Sequence, residues 1–245
     1  MLQQVELYSA LGRAEQNDLF AKLGQVYANL PRTSCAGCAT CCNWGSPPVF
    51  FIEYLNMYRY VRDNLQGDLQ SLLKKATEYY YLELVDTNQK CPFLKEDNHC
   101  SIYEVRPFTC RSYGLLSKED YETGDRGLKK LAQKFKEEYD LALPEEIINY
   151  ELPWCDKVDA GQGSFSKKST LAGLAAQIGT LDYSFFPQEL VDQEGTLLPF
   201  PVHLMSTVLG AGARARKVKV MKQFVDESSK ELLKGFVEKA ASFRF

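Results

Sequence analysis

The chain has 245 residues, 45% of them hydrophobic and 25% charged, which excludes global disorder and collagen-like repeats and suits one core domain with an added segment. Lys and Arg number 29 against 32 Asp and Glu, a net charge of −3, so the chain is a poor general nucleic-acid binder and any anion site must be a local patch. No window approaches the 18 or so consecutive apolar residues of a spanning helix, and residues 1–20 lack a basic stretch followed by an apolar one. The expectation is a cytoplasmic protein that does not enter a membrane. In a reducing compartment its 8 cysteines read as metal ligands rather than disulfides.

Val5, Tyr8 and Leu11, then Phe20, Leu23, Tyr27 and Leu30, recur at helical spacing and predict a helical first segment closed by Pro31. Residues 33–48 carry loop chemistry, with Ser, Thr, Gly, Asn and two prolines. A short apolar run at 49–52 leads into a helix through Tyr54, Met57, Tyr58 and Val61. Leu69, Leu72, Leu73, Ala76, Tyr80 and Leu84 predict a second helix over 68–85. Residues 91–114 are compact and irregular, 126–142 read as an amphipathic helix, and a Pro-led helix at 144–151 stops before Pro153. The Gly- and Ser-rich stretch 158–169 is the linker candidate. Helices are expected at 170–179 and 217–241, with Met221, Phe224, Val225, Ser228, Leu232 and Phe236 on one face of the last. The fold class is mainly α, with irregular Cys-rich loops packed between helices. A metal-binding domain over 1–157 would precede a helical C-terminal extension over 158–245.

The chemistry concentrates in Cys35-Ala-Gly-Cys38-Ala-Thr-Cys41-Cys42. A C-x2-C turn brings two sulfurs to one metal, Gly37 gives that turn its freedom, and Cys41 repeats the step. Three thiolates in C-x2-C-x2-C open a ferredoxin-type cluster site, whose remote ligand is a Cys followed by Pro, and here Cys91 precedes Pro92. Cys100, Cys110 and Cys155 complete the set. Eight thiols suffice for two four-cysteine sites, or for one site with redox-active or spare thiols. The adjacent pair Cys41 and Cys42 suits a bridge between two centres, one sulfur to each side. An iron–sulfur cluster and a structural zinc site both fit this pattern.

Around the thiols, Arg106, Arg111 and Tyr113 are the candidate cofactor-contacting residues. Guanidinium N–H groups stabilise a negatively charged cluster, although the same arginines could pin the loop by pairing with Glu104 or Glu53. Pro107 sets a turn, Trp44 is placed to shield the loop from water, and His99 could replace a cysteine. His203 reads as an ordinary partly buried histidine, and two histidines supply no H-x3-5-H pair. Gly210, Gly212 and Ala215 fit G-x-G-x-x-A after a run that could be a strand. The chain beyond this motif reads as one long helix, so no βαβ unit closes, and capping and close packing explain the glycines. Arg214, Arg216, Lys217, Lys219 and Lys222 read as a solvated helix face, with an anion patch as the alternative.

The order Cys35-x2-Cys38-x2-Cys41-Cys42, Cys91-Pro92-Phe93-Leu94, Cys100-Ser101-Ile102-Tyr103, Arg106-Pro107 and Cys110-Arg111-Ser112-Tyr113 resembles the CxxCxxCC cysteine-cluster family, of YkgJ type, whose members are described as zinc- or iron-chelating. The resemblance spans residues 33–114 and implies a metal-binding domain. A similar signature occurs in flagellin lysine N-methylases. For an enzyme, that likeness implies a [4Fe-4S] cluster supporting methyl transfer to a protein or small-molecule acceptor. The alternatives are a non-catalytic zinc module displaying a surface to a partner, and a metal carrier or redox sensor with exchangeable thiols.

Overall fold

The computed structural model describes residues 4–31, 37–121, 127–158, 166–193, 195–210 and 212–244, the side chain of Gln4 excepted. Among them the chain is mainly α, with a single two-stranded antiparallel ribbon. The expected helical first segment comprises two helices, α1 (Gln4–Gln16) and α2 (Leu19–Ala28), because Asp18 adopts a left-handed φ of 54° and turns the chain between them. A short α3 (Thr40–Asn43) follows, then β1 (Pro48–Val49), α4 (Phe51–Asn64) and α5 (Leu69–Leu82). The apolar run at 49–52 thus splits between a strand and the first turn of α4. Pro48 pairs with Pro199 and Val49 with Leu198 of β2 (Leu198–Pro199).

Further along come α6 (Phe108–Ser112), α7 (Leu128–Tyr139), the single turn α8 (Glu145–Ile148), α9 (Lys168–Leu181) and α10 (Gln188–Asp192). After β2 the chain forms α11 (Phe200–Leu209), α12 (Gly212–Glu227) and α13 (Glu231–Ala241). The expected helix over 217–241 is therefore two, broken where Ser228 takes φ 50°. Val225 is 40% exposed and does not belong to a buried stripe. Residues 159–165 of the linker candidate lie outside the described residues; beyond them, the Ser166 N–H bonds to the Leu115 carbonyl at 2.8 Å.

Helix α4 is central. Phe51, Ile52, Tyr54, Leu55, Met57, Tyr58 and Val61 are all buried, more than one helical face can hold, so α4 is covered on several sides. Helix α13 lies along α5, α11 packs on α5, and α2 contacts both α4 and α9. Each large apolar side chain so buried contributes about 1.5–3 kcal/mol. The run preceding Gly210 is helix α11, not a strand, and Gly210 turns the chain at φ 75°, accepting the Ala213 N–H at 3.0 Å. This excludes the dinucleotide-binding reading and leaves the turn role. Within the basic cluster, Lys217 is mostly buried and pairs with Glu83 at 2.8 Å, whereas Arg214, Arg216 and Lys219 are exposed.

The N-terminus of α4 is capped from a distance. Asp182 accepts the N–H groups of Phe51 and Ile52, each at 2.8 Å, through its two carboxylate oxygens. Burial nevertheless raises the Asp182 carboxyl to about 7. The folded protein then binds this proton more tightly than the unfolded chain, so its contribution to stability is complete below about pH 4 and is lost as pH rises towards 7. Urea midpoints measured at pH 5 and pH 7.5 are expected to fall with rising pH, and Asp182→Asn is expected to flatten that fall while lowering stability at both values.

Candidate metal centre

The thiols come from four separate stretches, each fixed by its own local geometry. Gly37 at φ 66° and Ala39 at φ 59° make the left-handed turn that starts α3, and the Asn43 N–H closes it on the Ala39 carbonyl at 2.8 Å. This exposes Cys38, whose Sγ lies 3.4 Å from Thr40 Oγ1, and places Cys41 and Cys42 on adjacent helical positions. Their sulfurs are 4.0 Å apart, and both residues line the same two cavities. Cys35 lies outside the described residues.

Cys91 is tied to this loop by its N–H, which donates to the Cys42 carbonyl at 2.8 Å. A tight reversal comes next, in which Leu94 bridges Cys100 and Asn98 turns the chain at φ 65°. The reversal returns Cys100 to the neighbourhood of Cys91. Cys110 sits on α6, which is bolted to α4: the Phe108 N–H donates to Glu53 Oε1 at 2.6 Å. The same carboxylate accepts Tyr27 Oη–H at 2.6 Å and the Phe50 N–H at 3.0 Å, and Glu53 is only 1% exposed.

Cys155 arrives on a segment held by three side chains. Tyr113 Oη–H donates to the Pro153 carbonyl at 2.6 Å, Tyr121 Oη–H to Leu152 at 2.7 Å, and Trp154 Nε1–H to Leu116 at 2.9 Å. Gly114 is required beneath it. Its φ is +84°, and a Cβ there would meet Val158 Cγ2 at 2.7 Å and Cys155 Cβ at 3.2 Å. Gly114→Ala is expected to cost about 1–3 kcal/mol in urea unfolding and to raise the reactivity of Cys155 towards a thiol reagent in the metal-free protein.

Two neighbouring cavities collect the sulfurs. The inner one, of about 70 Å³, is lined by Cys41, Cys42, Cys91, Cys100 and Cys110, together with Trp44. The outer one, of about 170 Å³, is lined by Cys38, Cys41, Cys42, Cys100, Cys110 and Cys155. All seven described cysteines therefore border one or both. Among the described residues no three Cys, His, Asp or Glu side chains already stand at the spacing of a single ion. Without metal, burial pushes the Cys91 thiol up to about 12 and that of Cys110 well above the ordinary range. The hydrogen bond between Cys41 and Cys42 lowers the Cys41 thiol and raises that of Cys42. Metal binding must release the protons of such thiols.

Arg106 and Tyr113 line both cavities, and Arg111 lines the outer one. The Arg106 guanidinium lies 3.9 Å from the Tyr103 ring, and its buried Nε has no hydrogen-bond partner among the described residues. A buried cationic donor bordering the thiols suits a thiolate-bound, negatively charged group. Arg111 pins the loop through backbone carbonyls, giving Nε–H to Arg106 at 2.7 Å and Nη2–H to Glu104 at 2.6 Å, instead of through the expected carboxylates. His99 also lines the outer cavity, but its side chain is 76% exposed and lies 3.5 Å from Asp97. His203 is buried and stacks on Tyr54 at 4.7 Å, away from the thiols. The anchoring roles of Tyr27, Tyr121 and Trp154 escaped sequence reasoning, and Glu53 was weighed only as an arginine partner. The one available signal was a carboxylate, Glu53, inside the apolar run of α4.

Helices thus surround thiol-lined cavities whose donor chemistry suits a metal. Residues 34–128 match the CxxCxxCC family model, described as "Putative zinc- or iron-chelating domain". Cys155 and the helices α9 to α13 lie beyond the match. No curated protein and no solved structure matches the chain.

Proposed function

We propose that the chain holds an iron–sulfur cluster on thiolates bordering the inner and outer cavities. The observation that carries this reading is the gathering of seven cysteines around adjoining cavities, more donors than the four that close a structural zinc site. Cys41, Cys42, Cys91, Cys100 and Cys110 would hold the cluster from the inner side, with Cys38 and Cys155 at the outer rim and the unsatisfied Arg106 Nε–H directed to its negative charge. When bound, such a group supplies one-electron redox chemistry or an iron coordination position. The likeness of the signature to that of flagellin lysine N-methylases extends the reading to methyl transfer, with the wider outer cavity receiving the donor.

A zinc module is the second reading, favoured by one distance. Tetrahedral zinc with Zn–S bonds of about 2.3 Å sets its sulfurs about 3.8 Å apart, close to the 4.0 Å between Cys41 and Cys42. Anaerobic purification followed by an optical spectrum and iron, sulfide and zinc analysis separates the two. Absorbance near about 400 nm with matching iron and sulfide is expected. A colourless protein with stoichiometric zinc and no sulfide would overturn the cluster reading and establish the zinc one.

A further inference from the structure

A third cavity opens beside Trp44, between α3, α5 and α8, and has a volume of about 240 Å³. That is several times the roughly 30 Å³ share of one liquid water, so it takes a ligand group of several heavy atoms. Its walls are aromatic and acidic: Trp44, Tyr79 and Tyr150 with Glu83, Asp86 and Glu146, and among the described residues no Lys or Arg lines it. The Trp44 and Tyr150 rings stand 6.1 Å apart and inclined at 41°, a V-shaped pair whose faces carry the negative side of the ring quadrupole.

The charges do not cancel. Lys217 compensates Glu83 at 2.8 Å, and Lys230 compensates Asp86 at 3.6 Å, both reaching in from the α12–α13 side. Glu146, on the opposite wall, takes part in none of the ion pairs among the described residues. The cavity therefore offers π faces and one uncompensated carboxylate, the combination that recognises a weakly hydrated organic cation.

We propose that this cavity binds an alkylammonium group, with Trp44 and Tyr150 as its aromatic walls and Glu146 as its counter-ion. The head group belongs either to a free small amine or to a lysine side chain of another protein, which present the same chemistry. Trp44 also lines the inner thiol cavity, so an occupant here adjoins a wall of that cavity. The site does not depend on which metal that centre holds.

The test is titration of the full-length protein, as isolated with its metal, followed by calorimetry and tryptophan fluorescence. The probes are tetramethylammonium, Nα-acetyl-lysine amide and, as a neutral isostere, tert-butanol. Saturable binding of one or both cations is expected, at least about fivefold tighter than tert-butanol, and preference between the two cations assigns the source of the head group. Tyr150 is 43% exposed and Glu146 is exposed, so Tyr150→Ala and Glu146→Gln are expected to leave folding and metal content unchanged while each weakens binding about fivefold. Equal affinity for cations and tert-butanol, absence of saturable binding, or unchanged affinity in both variants would overturn the proposal. Metal content measured on the same samples keeps this outcome separate from that of the cluster reading.

Discussion

Replacing Cys110 by serine is expected to abolish stable metal retention, lowering affinity by more than about a hundredfold, since loss of a residue that merely supports a ligand already costs about 10–100-fold. Cys110 borders both cavities, and its thiol faces the charges of Cys91, Cys41 and Cys100. Helix α6 holds Cys110 there, fixed to α4 through Glu53 and to β1 through Thr109 Oγ1–H, which donates to the Pro48 carbonyl at 3.2 Å. A serine hydroxyl matches the shape but does not ionise near neutral pH and is a hard, poor ligand for the metals that thiolates select. Cys155→Ser should behave differently, because Cys155 reaches only the outer cavity. Metal analysis of the purified variants is expected to give less than a tenth of the wild-type content for Cys110→Ser and more than half for Cys155→Ser. Equal retention by both would remove the distinction between inner and rim thiols.

Glu53→Ala should produce the largest loss of stability that a single polar residue outside the thiol set can cause, about 3 kcal/mol or more. Three donors converge on that carboxylate, the Phe50 and Phe108 N–H groups and Tyr27 Oη–H, and all would be left without an acceptor in a buried position. Each such loss costs about 1–3 kcal/mol, offset in part because the variant no longer buries a carboxylate that burial already pushes towards its neutral form. Glu53→Gln retains an acceptor oxygen and should cost less than half as much. Urea unfolding of the metal-free proteins measures this directly. The metal affinity of Glu53→Ala should fall as well, since Cys110 lies two residues beyond the Phe108 anchor.

Much of the architecture is legible in residue periodicity. The spacing of Leu69, Leu72, Leu73 and Ala76 marks the buried side of α5, and the cysteine spacing marks the site. The breaks at Asp18 and Ser228 are not legible, because ordinary L-residues there adopt left-handed backbone without the glycine that signals it. The strand at 48–49 is obscure for another reason: its partner lies about 150 residues away, and two-residue strands carry no alternation to read. What closes the centre was equally hidden. The acceptance of the Phe108 N–H by Glu53, and the grip of Tyr113, Tyr121 and Trp154 on residues 152–155, are hydrogen bonds between distant stretches that no local pattern announces. The glycines at 210 and 212 show the converse, a motif with the right letters in the wrong secondary structure.

The grip on residues 152–155 also sets an order of events during synthesis. The described thiols run from Cys38 to Cys155, so the last of them leaves the ribosome long after the first, and closing the intervening loops costs entropy that only completed contacts return. By then α9 to α13 have yet to emerge, although Asp182, Phe200 and Met205 belong to the packing that seats α4 and α5. The nascent chain therefore displays its full complement of described cysteines before it owns the scaffold that buries them. A metal delivered in that interval would act as the first organising centre of the fold.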